Sequence, residues 1–257
     1  VDTTNSPQGL SAAGYAARIV GQFSQETALS RIGQSGGSPS ALPMILSDHR
    51  VWFNQDQNEM WFESISHLLR MITIFAVLLP AAALVREKER GTVEQLLVSP
   101  LTPVQIVLPK VAAMTGVILC ATAVALFGVM RPLFAVPVRG SLVLLFFLTA
   151  LFIVATAGIG VFAATVTRNQ AQVGMMTLLV VAPMLLLSGI FTPLETMPPW
   201  VRHLMAFSPL RYFIEIAQGI LLKGIGIDML WSQALSMGVV GGSLFGFGMW
   251  RFRRQFE

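Results

Sequence analysis

The chain has 257 residues, of which 54% are hydrophobic and only 12% charged, about half the charged fraction of an ordinary soluble domain. Seventeen Lys and Arg with thirteen Asp and Glu side chains cannot coat a globule of this length, so the apolar excess has to meet lipid. The same figures exclude disorder. A single cysteine, Cys120, excludes a disulfide framework and a cysteine-built zinc site, and the net charge of +4 lacks the basic stripe that a nucleic-acid partner needs.

Residues 1–63 are polar and read as part of an extracytoplasmic domain. Within 10–32, Leu10, Ala13, Ala17, Val20 and Phe23 recur near helical spacing, which predicts an amphipathic helix. Gly33-Gln34-Ser35-Gly36-Gly37 formally matches G-x-S-x-G. That elbow needs a strand before it, a helix after it and acid and His partners, so a breaker-rich loop is the preferred reading over a nucleophilic Ser35. A polar lead of this length offers a translocation machine nothing to grip. It predicts an earlier span upstream of Val1, with an unusual start codon as the alternative.

Five uncharged stretches follow, and a helix needs roughly 20 residues to cross about 30 Å of hydrocarbon. They predict spans at about 64–85, 111–130, 141–166, 173–191 and 232–250, within an all-α transmembrane domain over 64–257. The first span places His67 and Arg70 within two turns of one end, where arginine reaches the headgroups. Pro80 and Pro183 lie inside spans, where each removes a backbone donor.

Between the first two spans, 86–110 begins with the charged run Arg86-Glu87-Lys88-Glu89-Arg90. Val93, Leu96 and Leu97 then fall at i, i+3 and i+4, which predicts a short helix with one narrow apolar face, stopped by Ser99-Pro100. Thr102-Pro103 reads as an N-cap and first-turn proline opening a helix that continues into the second span. On periodicity alone, a partner-gripped coupling helix and an interfacial helix on the headgroups stand equal.

The loop 192–231 is largely apolar and carries Trp200, Phe207, Tyr212 and Phe213, which predicts short interfacial or re-entrant helices, with packing against the spans as the alternative. The last span holds Gly238, Gly242 and Gly246 at spacing four, a stripe for close helix packing against a neighbour within the chain or a second copy. No ionisable residue lies near the centre of any span, which weakens an ion-driven pump, and the scattered His49, His67 and His203 argue against an intramembrane metalloprotease.

Orientation follows from Lys and Arg density. Arg86, Lys88, Arg90, Lys110, Arg168, Arg251, Arg253 and Arg254 crowd into about 38 residues, against eight others over about 113. The segment 86–110 and the C-terminus are therefore expected in the cytoplasm, and residues 1–63 outside.

The run Glu87 to Pro100 closely resembles the E-x-G-T-x-E-x-L-x-V-S-P signature of the permease subunits of type-two ABC exporters, including multidrug and lipid exporters. The likeness extends through Leu187 to Pro193, Met197-Pro198, Ser208-Pro209-Leu210 and Arg251-Phe252-Arg253. It implies six spans in a full-length chain against the five here, and a coupling helix seated on a separate ATPase subunit through Glu89, Gly91, Thr92, Glu94, Leu97 and Pro100. It also implies a second permease chain, homo- or heterodimeric, in a bacterial inner membrane. Gln55 follows Phe53-Asn54 where relatives often have proline.

No G-x-x-x-x-G-K-[ST] phosphate loop occurs. The chain is therefore expected not to hold ATP by that device and to be no enzyme, with no cofactor or metal. The resemblance implies export driven by a partner's ATP hydrolysis, and the uncharged span interiors favour a hydrophobic or amphipathic substrate. The alternatives are an ion-driven secondary carrier and a non-transporting membrane scaffold subunit.

Overall fold

The computed structural model describes residues 14–16, 18–24, 59–91, 102–189 and 198–255, and among them there is helix and no strand. The chain divides into two units, Val1–Phe62 and Glu63–Glu257. In the first unit the described stretches between 14 and 24 are helical. Tyr15, Ile19 and Phe23 are exposed one turn apart there and Val20 is partly buried, while Leu10, Ala13 and Ala17 of the predicted stripe lie outside the described residues.

Helix α1 spans Glu59–Glu89. Helix α2, Pro103–Val124, continues through a π-helical turn, Ala125–Met130, into the short α3, Arg131–Phe134. Then come α4, Leu142–Val166, and α5, Gln170–Leu186. Two short helices follow: α6, Pro199–Met205, and α7, Pro209–Gln218, the latter running into a π segment, Gly219–Lys223. The last, α8, is Ile227–Arg253.

Local chemistry explains the boundaries. The predicted start of α2 is present as a full capping box: the Gln105 N–H donates to Thr102 Oγ1 (3.4 Å) and the Thr102 N–H to Gln105 Oε1 (2.8 Å), with Pro103 just inside. Ser141 and Asn169 cap α4 and α5 in the same manner, accepting from the N–H groups of Leu144 and Gln172. Helix α1 ends where Gly91 turns left-handed (φ 67°), its N–H reaching back to the Lys88 carbonyl.

Three helices, Met60–Glu89, Pro103–Phe134 and Leu142–Val166, are long and apolar enough to cross a membrane, and Gln170–Leu186 is apolar but shorter. Large apolar side chains such as Val117, Val124, Val143, Phe147, Leu178 and Val239 point outward, which suits a surface solvated by lipid. Five buried hydroxyls are satisfied within their own helices: Thr73, Thr115, Thr122, Thr149 and Thr156 each donate to the carbonyl four residues back, at 2.7–2.8 Å, whereas those of Ser66 and Thr177 are buried without a hydrogen-bond partner among the described residues. Arg70 folds back toward its helix start, bonding Glu63 Oε1 (3.1 Å) and the Ser66 carbonyl (3.3 Å), the direction expected of a snorkelling side chain.

The most extensive helix pair is α4 with α8, and its closeness is set by glycine. A Cβ added at Gly241 would lie 2.1 Å from Ala155 Cβ, and one at Gly248 would lie 2.3 Å from the Gly158 carbonyl oxygen. On the other face of α4, a Cβ at Gly160 would meet the Val77 carbonyl oxygen of α1 at 2.4 Å. Backbones can approach this far only where no side chain intervenes. Against the same helix, Phe213 of α7 stacks on Phe152 with ring centroids 4.1 Å apart. Phe152 sits about 15 Å along α4 from its first residue, so α7 meets the middle of a long apolar helix.

Candidate functional site

The segment that carries the sequence motif follows the end of α1, and that end is a junction of five helices. Beneath it lies an apolar core drawn from all of them: Ala81, Leu84 and Val85 of α1, Val107 and Val111 of α2, Ala164 of α4, Val173 of α5 and Phe252 of α8 among its members. The polar layer above follows from what helix ends leave unpaired. The last four carbonyls of a helix and the first four N–H groups lack intrahelical partners and need others when water is scarce.

At the end of α4 these carbonyls are taken in turn. Ala163 accepts from the Thr167 N–H (3.1 Å) and the Thr167 hydroxyl (2.9 Å). The Lys88 ammonium donates to the Ala164 carbonyl, and the Gln255 side-chain amide, just past α8, donates to that of Thr165. Lys88 Nζ also donates to Gln255 Oε1 at 3.2 Å. A cation beside a helix C-terminus is electrostatically favoured as well, because the peptide dipoles leave partial negative charge there.

The flanking acids face the neighbouring helices. Glu87 Oε1 pairs with Lys110 Nζ of α2 at 2.6 Å, both side chains about three-quarters buried. Glu89 Oε1 accepts from the Gln170 N–H at 2.9 Å, the first residue of α5, so a carboxylate sits at a helix N-terminus. The Gln170 side-chain amide returns to the Ala82 carbonyl of α1 at 2.9 Å. Thus Glu87, Lys88 and Glu89, consecutive in sequence, bind α2, α4 with α8, and α5.

Of the motif residues, Glu89 and Gly91 belong to this junction, and both are exposed. Gly91 has nothing within 4 Å of an added Cβ, so its role is conformational. Thr92, Glu94, Leu97 and Pro100 lie outside the described residues, as does the short apolar helix predicted around them. Sequence reading missed Lys88, Lys110, Gln170 and Gln255. The signal available was the alternation of sign in Glu87-Lys88-Glu89 with Lys110 at the start of the next span, but partners this distant along the chain could not be assigned.

The stripe Gly238, Gly242 and Gly246 has no heavy atom within 4 Å of an added Cβ inside this chain. The intrachain contacts are made by Gly241 and Gly248 instead. Among the described residues no cluster of His, Cys, Asp or Glu could hold a metal ion.

At the opposite end of the bundle a similar device recurs. Arg139 donates from its guanidinium to the Leu222 carbonyl (3.1 Å) and from its backbone N–H to that of Leu221 (3.2 Å), covering carbonyls of the π segment after α7. Gly224, left-handed at φ 68°, ends that segment against Arg139.

Among the described residues, three helices long and apolar enough to cross a membrane, an outward hydrophobic surface and polar junctions at helix ends are the features of a helical membrane protein. Residues 40–222 match the family described as ABC-2 type transporter, and the chain belongs to that family. It is 34% identical over 255 residues to the inner membrane transport permease YhhJ of Escherichia coli K12, covering 99% of this chain and 66% of that protein. To the probable multidrug ABC transporter permease YbhR of the same organism it is 29% identical over 256 residues, covering 99% and 67%. YbhS, also named a probable multidrug ABC transporter permease, is 32% identical over 188 residues, 71% of this chain and 48% of that one. The chain therefore spans about two thirds of the length of YhhJ and YbhR.

Proposed function

We propose that this chain is the membrane-spanning permease subunit of an ATP-driven ABC exporter in a bacterial inner membrane, taking its energy from a separate ATPase subunit. The observation that carries the reading is the position of the signature: it departs directly from a junction through which α1 is bonded to α2, α4, α5 and α8. A load applied to residues 92–100 is thereby delivered to the whole bundle. In this reading the ATPase docks on Glu89, Gly91, Thr92, Glu94, Leu97 and Pro100, and its closure on ATP re-tilts the helices.

Five spans, α1, α2, α4, α5 and α8, then cross the bilayer, with 86–110 and the C-terminus cytoplasmic and 1–63 outside. The segment 192–231 re-enters from the outer side, a reading supported by the Phe152–Phe213 stack halfway along α4. A hydrophobic or amphipathic substrate is supported by the uncharged interior and by the multidrug designation of two relatives. A second permease chain completes the pathway, with Gly238, Gly242 and Gly246 as candidates for its contact.

The test is co-expression of the tagged permease with a candidate ABC ATPase subunit from the same organism. Glu94→Arg and Gly91→Pro are expected to abolish ATPase co-purification and export while the permease still accumulates in the membrane. Retention of both activities by both variants would refute the assignment. Export that persists on a proton gradient after ATP depletion would favour the ion-driven carrier, and docking without export the scaffold.

A further inference from the structure

The geometry points to Lys88 as a positioning residue that makes α1, α4 and α8 respond as one body when the segment beyond Gly91 is loaded, with α2 and α5 tethered to that body at its rim. The inference rests on the coupling reading above and adds which helices take the load.

Three observations separate the two groups of helices. The first is backbone interlock. Glycines at 158, 160, 241 and 248 bring α4 against both α8 and α1 so closely that an added Cβ would fall within 2.1–2.4 Å of the neighbouring helix. Helices meeting at this distance cannot slide without first separating. In α2 and α5, by contrast, Gly116 and Gly174 have nothing within 4 Å, and much of α2, including Val104, Leu108, Val117 and Val124, faces outward.

The second is what closes the inner end. The glycine contacts of α4 stop at Gly160, six residues before the helix ends at Val166. Beyond them the apolar core continues, and the polar ties among the three helices run through the side chains of Lys88 and Gln255. Lys88 of α1 bonds the Ala164 carbonyl of α4 and Gln255 next to α8, and Gln255 bonds the Thr165 carbonyl of α4 in turn. Removing the ammonium leaves carbonyls at a helix C-terminus with fewer donors and unties α1 from both partners together.

The third is the character of the remaining ties. Helix α5 is held through Glu89, an exposed carboxylate on one N–H, and by the Gln170 amide. Helix α2 is held through the Glu87–Lys110 pair. Links through long side chains permit a change of tilt that a backbone interlock does not. A push entering at Arg90-Gly91 passes the Glu89 tie, which yields, and reaches Lys88, where it turns α4 and α8 with α1.

The experiment uses the complete transporter, permease with its ATPase subunit, in liposomes. Cys120→Ser removes the native cysteine, and Met229→Cys, near the far end of α8 and exposed, is the reporter. The readout is its labelling rate by a membrane-impermeant maleimide, with and without trapping by ATP and vanadate. The parent is expected to change rate on trapping. Lys88→Met is expected to retain bound ATPase but lose at least about fivefold of that change, the lower end of ordinary coupling free energies, and Lys88→Arg to restore most of it.

A Lys88→Met protein that responds like the parent overturns the proposal. Should Lys88→Met fail to accumulate, Gln255→Ala cuts the tie to α8 alone, and an undiminished response there overturns it equally. A parent that binds ATPase but shows no nucleotide response overturns this inference while leaving docking standing. A parent that binds no ATPase overturns the coupling reading and this inference with it.

Discussion

Alanine at Gly241 and alanine at Gly242 are adjacent changes on one helix that should have opposite signs. At Gly242 the new methyl meets nothing within 4 Å, so the change removes only the backbone freedom of glycine, worth about 0.5–1 kcal/mol in favour of the helix. At Gly241 the methyl would lie 2.1 Å from Ala155 Cβ and 2.8 Å from Ala155 Cα. Carbon atoms pack at about 3.5–4.0 Å, so α8 has to retreat from α4 by roughly 1.5 Å. Both contacts are to Ala155 itself, one of them backbone, so no long side chain can swing aside.

Overpacking of this kind costs about 1–3 kcal/mol, and the retreat also loosens the neighbouring Gly158–Phe245 and Gly248–Gly158 approaches. The propensity gain offsets part of that cost, leaving Gly241→Ala destabilising by about 1–2 kcal/mol. Thermal unfolding of the monomeric chain in mild detergent reads the difference. A Gly241→Ala protein as stable as Gly242→Ala would refute the packing of α8 described here.

Three further outcomes are expected. Glu87→Lys should destabilise the junction at the end of α1 by placing two ammonium groups together, and Lys110→Glu in the same chain should recover most of the loss, about 1 kcal/mol by a double-mutant cycle. Gly91→Ala should cost about 1–2 kcal/mol at the end of α1 because its φ is 67° with open space around it, and Gly91→Asn should cost less; amide exchange near the end of α1 is the measurement. Phe213→Ala should cost about 3–5 kcal/mol by removing a fully buried ring stacked on Phe152, whereas Phe207→Ala, at an exposed position just before α7, should be nearly neutral when both are compared by thermal unfolding.

Much of the fold was legible because hydropathy and caps are local. The run 141–166 coincides with α4, and Thr102-Pro103 opens α2 as read. The departures have physical causes. Helix α1 is longer at both ends than 64–85, because Glu63, His67 and Arg70 satisfy one another at one end and Glu87, Lys88 and Glu89 find partners at the other. Charges that look like span ends in sequence are carried inside the helix once they are paired. Helix α5 begins at Gln170 instead of near 173 because Asn169 caps it and Glu89 occupies its first N–H, and it ends at Leu186 instead of 191. In α8, Asp228 and Gln233 are absorbed at the start of a helix reaching from Ile227 to Arg253, well beyond 232–250.

From the residues alone came the solvent, the class of secondary structure, the caps and the resemblance in 87–100, each a sum over neighbours in the chain. Tertiary structure alone decided which glycines touch and which charges meet. One residue along a helix turns a side chain by about 100°, so spacing four singled out Gly238, Gly242 and Gly246, while the rotation of α8 against α4 brought Gly241 and Gly248 to the contact. Lys88 and Gln255 stand 167 residues apart and still share a hydrogen bond. No periodicity encodes such a meeting, because it depends on where three helices happen to end.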